Sequence, residues 1–267
     1  MINIKKEEIK LTKGQVLIYD FGSIKLYNYN TNDYLIDQVL MVEKNKKMVI
    51  IESPTFYDND KELEEYIKSL NTKVEGILLA YHMSGANFLK GVKKYATQKA
   101  DDYGHNGGGK VLIDSFTTAF GTTIFDNNVH SVTDYLKEGE VNIADIKFNI
   151  IPTADAFDIE IPKINVLYTH MLGSDVHSIL GSVDHANVLI KSLESYIVKN
   201  YNLILTSHYI PEDITAVKTK ITYLNNLLTI AKNSQTKKEF IFKIKEKYPN
   251  YSGENYLEMT ANNLFNN

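Results

Sequence analysis

The segment GILLAYHMSGANF, residues 76–88, decides the predicted fold. It contains the end of a short apolar run, residues 74–80, which predicts a buried strand. Tyr81 and His82 follow directly after that strand. Three later apolar runs also end at a loop that carries Asp or His, and the residues in question are Asp155, His170 and His208. Because many α/β folds assemble a site from the loops at one edge of a sheet, the four loops predict a shared site.

The order of the predicted elements is that of a layered α/β protein. Strands and helices come in two similar batches, residues 15–103 and 123–206, and helical spacing continues from residue 212. Residues 43–46 predict a polar hairpin turn between two strands. Within the first batch, residues 88–102 predict a helix.

A glycine-rich stretch from Gly104 to Gly109 predicts a flexible loop that could line the pocket as a lid. Together with Lys110 it matches most of the phosphate-loop pattern. That pattern needs a strand before it and a Ser or Thr after the Lys, whereas Val111 follows here. We therefore reject nucleotide binding. Residues 111–120 are apolar and fit a strand or a helix.

The composition excludes several classes of protein and of site. The 267 residues include no Cys, no Trp and no Arg, so a disulfide framework and a sulfur-based zinc site are excluded. A formal net charge of −4 gives no basic surface for nucleic acid. No apolar stretch is long enough to span a membrane, and the first thirteen residues show no signal peptide, so we expect a cytoplasmic location. Lys in place of Arg is typical of an AT-rich genome, and we expect a bacterial source.

Five segments resemble the metallo-β-lactamase fold family in their order and spacing. They are residues 34–54, 76–88, 149–159, 165–171 and 203–211. The resemblance covers roughly residues 15–211 and implies a four-layer αββα sandwich. We expect this sandwich to comprise residues 1–211, with residues 212–267 as a C-terminal helical extension packed on the same domain.

The resemblance also shows that the family's metal motif is lost. The three His positions of His-x-His-x-Asp-His fall on Tyr81, Met83 and Ala86, and its Asp falls on Gly85. The loop for a further His offers Asp155, and the position of the bridging Asp falls on Met171. Only His208 matches. Since Gly and Ala have no side-chain donor, we predict that the usual dinuclear zinc site is absent.

The sequence still allows a rearranged site at the same strand edge. We predict catalytic roles for His208, His170 and Asp155, because imidazole and carboxylate groups do acid–base work. The predicted substrate-binding residues are Tyr81, His82, Met83, Asp175 and His177. One divalent metal, Zn, Fe, Mn or Ni, could bind to His170, Asp155 and His208. The alternative is a polar pocket without metal.

Two functions follow from these predictions. The first is a divergent hydrolase that keeps the sandwich and uses the His and Asp residues or one non-standard metal. The second is a non-catalytic protein that binds a small molecule in the same pocket. Both predict a small-molecule ligand or substrate and exclude nucleic acid and membrane as partners. The C-terminal helices could pack on the core, cover the site or form a homodimer contact.

Overall fold

The computed structural model describes residues 4–265 of the chain. These residues form two compact units. The first unit comprises the chain up to residue 171 together with residues 205–211, and the second comprises residues 172–204 together with the chain from residue 212. Each unit is described by itself below.

The first unit contains a sheet of eight strands that lie in sequence order. The strands are β1 (Lys5–Lys10), β2 (Gln15–Asp20), β3 (Lys25–Asn30), β4 (Gln38–Lys44), β5 (Lys47–Ile51), β6 (Lys73–Leu78), β7 (Lys94–Thr97) and β8 (Asp134–Leu136). Neighbouring strands are antiparallel from β1 to β5 and parallel from β5 to β8. Strands β4 and β5 consist mainly of buried aliphatic residues, which suits strands at the centre of a sheet.

The turn between β4 and β5 confirms the predicted hairpin. Lys44 pairs with Lys47, so that Asn45 and Lys46 form a two-residue turn. Both turn residues have a positive φ, 53° and 60°, as a type I′ turn requires. The right-handed twist of such a turn matches that of the strands, and it fixes the register of the hairpin.

A second sheet of five strands follows along the chain. Its strands are β9 (Gly139–Ile143), β10 (Ile146–Pro152), β11 (Phe157–Ile161), β12 (Val166–Thr169) and β13 (Leu203–Thr206), in the order β13-β12-β11-β10-β9. Strand β11 is buried along its whole length, including Asp158 and Glu160. Strand β12 pairs with it, with Ile159 opposite Tyr168. The loops that follow β12 and β13 carry His170 and His208.

Three helices belong to the first unit: α1 (Tyr57–Ser69), α2 (Gln98–His105) and α3 (Gly108–Phe120). Helix α1 follows β5 and buries Leu63, Tyr66 and Ile67. The prediction of a helix over residues 88–102 is wrong, because this stretch contains β7 and only the first half of α2. Its β-branched and aromatic residues pair in the sheet with β6 and β8, and sheet pairing outweighs the helical spacing.

The prediction of a glycine-rich loop is also wrong. Helix α2 ends at His105 and α3 begins at Gly108, so only Asn106 and Gly107 lie between the two helices. A Cβ atom at Gly108 would lie 2.9 Å from Tyr103 Cε2. The glycines therefore allow the first turn of α3 to pack on the Tyr103 ring. The apolar residues 111–120, ambiguous in sequence, are helical.

The second unit contains four helices: α4 (Val183–Lys199), α5 (Ile214–Lys232), α6 (Lys237–Lys247) and α7 (Glu254–Phe265). Helix α5 lies against α4 and α6, and α6 lies against α7. The side chains of Ser182, Asp213 and Thr236 cap α4, α5 and α6 by accepting hydrogen bonds from backbone N–H groups of the first turn. The predicted helical C-terminus is confirmed. Among the described residues, no helix has the length and hydropathy to cross a bilayer.

Candidate metal centre

The candidate site is formed by four loops of the first unit, each of which follows a strand. Glu52 follows β5, Tyr81 and His82 follow β6, His170 follows β12, and His208 follows β13. The hydroxyl of Tyr168 donates a hydrogen bond to Glu52 Oε1 at 2.6 Å, which joins the ends of the two sheets. Three of these loops, those of His82, His170 and His208, are among the four predicted from the sequence, and all these residues belong to the first unit.

Three of these residues form a histidine cluster, which we define as His82, His170 and His208. One ring nitrogen of each lies within 4.8 Å of the ring nitrogens of the other two. The Nε2 atoms of His170 and His208 are 3.2 Å apart. The centroids of the three rings are 5.0–5.6 Å apart, and each ring is half-buried. Among the described residues, this cluster is the one group of at least three His, Asp or Glu side chains whose potential ligand atoms converge in this way.

The cluster favours neutral imidazole at its centre. Burial lowers the pKa of His170 well below its usual value, and the neighbouring charges of His82 and His208 lower it further. Neutral imidazole has a free ring nitrogen that can accept a proton or bind a metal ion. His170 is therefore in the protonation state that a metal ligand needs.

Asp37 orients His208 from the side opposite the cluster. Its Oδ1 atom lies 3.2 Å from His208 Nδ1, so that His208 Nε2 is left facing His170. Burial lowers the pKa of His208, but the hydrogen bond and the charge of Asp37 outweigh burial and raise it above the usual value. A carboxylate on the far ring nitrogen is the usual partner of a metal-binding His, since it fixes the ring and its tautomer.

A strained loop holds Asp37 in place. Asp33 Oδ1 accepts a hydrogen bond from Leu35 N at 2.8 Å, and Gln38 N donates to Ser207 O at 2.7 Å. Between them Ile36 has a φ of +57°, a conformation that is unfavourable for a β-branched residue. Strained backbone of this kind clusters at functional sites, where the surrounding contacts compensate for its cost.

Glu52 fixes the backbone of the loop after β6. Its carboxylate is fully buried and accepts hydrogen bonds from Tyr81 N at 2.8 Å and from His82 N at 3.0 Å. Tyr168, which donates to the same carboxylate, is also 2.6 Å from Ser207 Oγ. Burial raises the pKa of Glu52, although these donors favour its ionised form. The network ties the loops of His82 and His208 to one buried group.

The donor set of the cluster fits one metal ion. Zinc lies about 2.0–2.1 Å from an imidazole nitrogen in tetrahedral sites, which places two such nitrogens about 3.3–3.4 Å apart. The 3.2 Å between His170 Nε2 and His208 Nε2 is close to this spacing. Three His ligands with one open position are also typical of catalytic rather than structural zinc sites.

The other predicted site residues do not belong to the histidine cluster. Asp155 is exposed and does not belong to the converging group. Met83 is buried beside α2, with Gly104 against its side chain. Asp175 and His177 lie in the second unit, where His177 Nδ1 is 2.9 Å from the Tyr223 hydroxyl. Of the predicted set, Tyr81, His82, His170 and His208 come together.

Gly85, which the sequence resemblance aligns with the family's Asp, has a conformation that suits glycine alone. Its φ is +90°, and a Cβ atom there would lie 2.1 Å from Pro54 O. The backbone therefore leaves no room for a carboxylate at this position.

Sequence reasoning missed the residues that support the cluster. These are Asp37, Asp158, Tyr168 and Ser207, together with the role of Glu52. Glu52 and Ser207 stand at the ends of apolar runs, and this signal could have singled them out. Asp37 and Asp158 carry no such signal, since their neighbours are ordinary strand and loop residues.

No family model and no curated protein sequence matches the chain. Several solved structures match it with probability 1.00. One is a double mutant of the sec-alkyl sulfatase PisA1, at 13% identity over 98% of this chain and 57% of that chain, with a TM-score of 0.63. Others are a metallo-β-lactamase from Erythrobacter litoralis and a metallo-β-lactamase family protein from Thermus thermophilus.

The Erythrobacter enzyme is 11% identical over 82% of this chain and 100% of that chain, with a TM-score of 0.57. The Thermus protein is 12% identical over 90% of this chain and 91% of that chain, with a TM-score of 0.59. The chain spans little more than half the length of the alkylsulfatase and most or all of the other two. The chain has the metallo-β-lactamase fold, as the sequence predicted.

Proposed function

We propose that the chain is a hydrolase-like enzyme whose site holds one divalent metal on His82, His170 and His208. The observation that carries this proposal is the convergence of three imidazoles, with two Nε2 atoms 3.2 Å apart. The fold of the alkylsulfatase and the metallo-β-lactamases supports the same class of chemistry by analogy. When bound, such a metal supplies a Lewis acid and lowers the pKa of bound water.

The surrounding residues have distinct roles in this proposal. Asp37 holds His208 in the tautomer that leaves Nε2 free for the metal. Glu52 fixes the backbone on which His82 is carried, through its bonds to Tyr81 N and His82 N. These contacts hold the ligands in place before a metal binds, which reduces the cost of ordering them.

The nitrogen donors narrow the choice of metal. Imidazole suits Zn, Fe and Ni, whereas Mn prefers carboxylate and water oxygens. The proposal therefore favours Zn, Fe or Ni over Mn. Asp155, which the sequence had added as an oxygen donor, has no place in this ligand set.

Elemental analysis tests the metal directly. The chain is purified with and without added Zn²⁺, Fe²⁺ or Ni²⁺, and about one equivalent is expected to remain bound. His208→Ala should lower this to background, whereas His105→Ala, an exposed His outside the cluster, should not change it. Less than a tenth of an equivalent in the wild-type chain with every metal would overturn the proposal.

The alternative is a protein that binds a small molecule without metal or turnover. The same 3.2 Å distance favours it, because one imidazole N–H can donate to the other ring nitrogen and satisfy both without a metal. Turnover of ester, lactone, thioester and phosphodiester substrates separates the two functions. Activity that depends on added metal and disappears in His208→Ala excludes the binding protein.

A further inference from the structure

We propose that Tyr81 is a positioning residue of the histidine cluster, because its ring holds the imidazole of His170 in a fixed plane. The proposal rests on the metal site described above and assigns a role to a side chain that is not itself a ligand there. In this proposal Asp158, a buried carboxylate outside the cluster, anchors the hydroxyl of Tyr81.

The side chains of Tyr81 and His170 are in direct ring-to-ring contact. The rings of Tyr81 and His170 are stacked, with centroids 4.6 Å apart and planes 9° from parallel. The edge of Tyr168 meets the Tyr81 ring at 6.2 Å and 65°. The near-parallel stack leaves the edge of His170 open, and its Nε2 faces His208 along that edge.

Tyr81 is held by hydrogen bonds at its hydroxyl and at its backbone N–H. Its hydroxyl donates a hydrogen bond to Asp158 Oδ1 at 2.5 Å, and its backbone N–H donates to Glu52 Oε1 at 2.8 Å. Asp158 lies on β11 of the second sheet, and Glu52 follows β5 of the first. The side chain therefore spans the ends of the two sheets, and the hydrogen bonds at its two ends oppose its rotation.

The stack affects the side-chain conformation of His170. Its backbone is held by the hydrogen bond from Ser207 N to His170 O, at 3.0 Å. That bond fixes where the residue lies but leaves the imidazole free to rotate about its side-chain bonds. The stacked Tyr81 ring restricts this rotation. Hydrogen-bonded residues that orient a metal ligand from outside the ligand set change metal affinity by about 10–100-fold when they are removed, and we expect a stacked ring that restricts the same rotation to act in the same direction.

Three substitutions separate the ring from its anchor. Tyr81→Leu removes the ring and Tyr81→Phe keeps the ring without the hydroxyl. Asp158→Asn keeps an oxygen that can accept the hydrogen bond from the Tyr81 hydroxyl. Tyr135→Leu is the matched control, since Tyr135 is exposed and donates to Asp101 at the same 2.5 Å. The measurements are zinc affinity by competition titration and the NMR shifts of the His170 ring protons in the metal-free chain.

Tyr81→Leu should weaken zinc binding about tenfold or more. It should also move the His170 ring protons away from the shifts that the stacked ring imposes. Tyr81→Phe keeps the ring but loses its anchor, so it should move these shifts part of the way and lose about threefold in affinity. Asp158→Asn and Tyr135→Leu should behave like the wild-type chain. Wild-type affinity and unchanged His170 shifts in Tyr81→Leu would overturn the inference.

The two proposals fail in different ways. If the wild-type chain binds no zinc, Fe²⁺ or Ni²⁺, the metal proposal fails, and the NMR shifts alone decide the role of Tyr81. If Tyr81→Leu does not fold, as judged by circular dichroism, Asp158→Ala replaces it, because it removes the anchor and keeps the ring. Changed His170 shifts in Asp158→Ala support the positioning role, and unchanged shifts overturn it.

Discussion

Asp60 carries a buried carboxyl group whose two oxygens have no hydrogen-bond partner among the described residues. Burial raises its pKa from 3.8 to about 8, and the negative charges of Asp126 and Glu64 contribute to this rise. Asp60 is therefore protonated in the folded chain at neutral pH but ionised in the unfolded chain. Because the unfolded state releases its proton at lower pH, Asp60 makes the chain less stable as pH rises from about 4 to about 8.

Asp60→Asn should remove this dependence on pH. The difference in unfolding free energy, variant minus wild type, should increase by about 2–4 kcal/mol from pH 5 to pH 8. Each unit of pKa corresponds to about 1.4 kcal/mol. Urea unfolding of both chains at the two pH values measures the difference. If the unfolding free energies of the two chains differ by the same amount at both pH values, Asp60 is already ionised in the folded state.

Tyr168 supports the site through a single hydroxyl that contacts both Glu52 and Ser207. Tyr168→Phe keeps the ring and leaves the buried Glu52 carboxylate without this donor, so we expect a loss of about 1–3 kcal/mol in unfolding free energy. Tyr135→Phe is the control, because its hydroxyl donates to Asp101 on the surface, where a bond to a carboxylate contributes little. Thermal and urea unfolding measure both. Equal effects of the two substitutions would contradict the role given to the buried network.

At the scale of the element, helix α2 packs on the loop after β6 through a glycine. A Cβ atom at Gly104 would lie 2.2 Å from Met83 Cγ and 2.4 Å from Met83 Cβ. Ala is the better helix former by about 1 kcal/mol, but overpacking of a buried contact costs about 1–3 kcal/mol. The contact decides the outcome, because Met83 is buried and cannot move away easily.

Gly104→Ala should therefore destabilise the chain by about 1–2 kcal/mol. Gly91→Ala, where nothing lies within 4 Å of the added Cβ, should have little effect. Adding Met83→Ala to Gly104→Ala should recover part of the loss, because it removes Met83 Cγ, the nearer of the two clashing atoms, and leaves Cβ. A double-mutant cycle of unfolding free energies measures this coupling. Additive effects in the cycle would mean that the two residues do not interfere.

The elements also show where sequence reasoning succeeded. The hairpin turn at Asn45 and Lys46 was predictable, since two polar residues between apolar strands are a local signal. The structure of residues 88–102 was not, because these residues fit a helix locally while residues 94–97 within them form β7 through pairing with β6 and β8. Pairing partners distant in the sequence cannot be read from a local pattern.

At the scale of the whole molecule, metal binding should stabilise the folded chain, because the three ligands converge only after folding. At a free Zn²⁺ concentration about 100 times the dissociation constant, the gain in unfolding free energy should be about 2.7 kcal/mol. Urea unfolding with buffered Zn²⁺ and with a chelator measures this gain. It should disappear in His82→Ala and persist in His185→Ala, which replaces an exposed His on α4. Equal gains in both variants would place the metal elsewhere.

The sequence by itself determined the fold, most of the order of strands and helices apart from residues 88–109, and the types of donor that a metal could find. Apolar periodicity and strand ends are local properties, and the absence of Cys and Arg is a property of composition alone. From these it followed that a metal could be bound only by nitrogen and oxygen.

Only the tertiary structure decided which donors meet. His82 and His208 are 126 positions apart, and Asp155 lies nearer to His170 in sequence than either, yet Asp155 is exposed and the three imidazoles converge. The direction of a side chain at a strand end depends on the loop that follows and on the buried groups that hold it, here Asp37, Glu52 and Asp158. These contacts join residues far apart in the chain, so they exist only once the strands have paired and the sheets have packed.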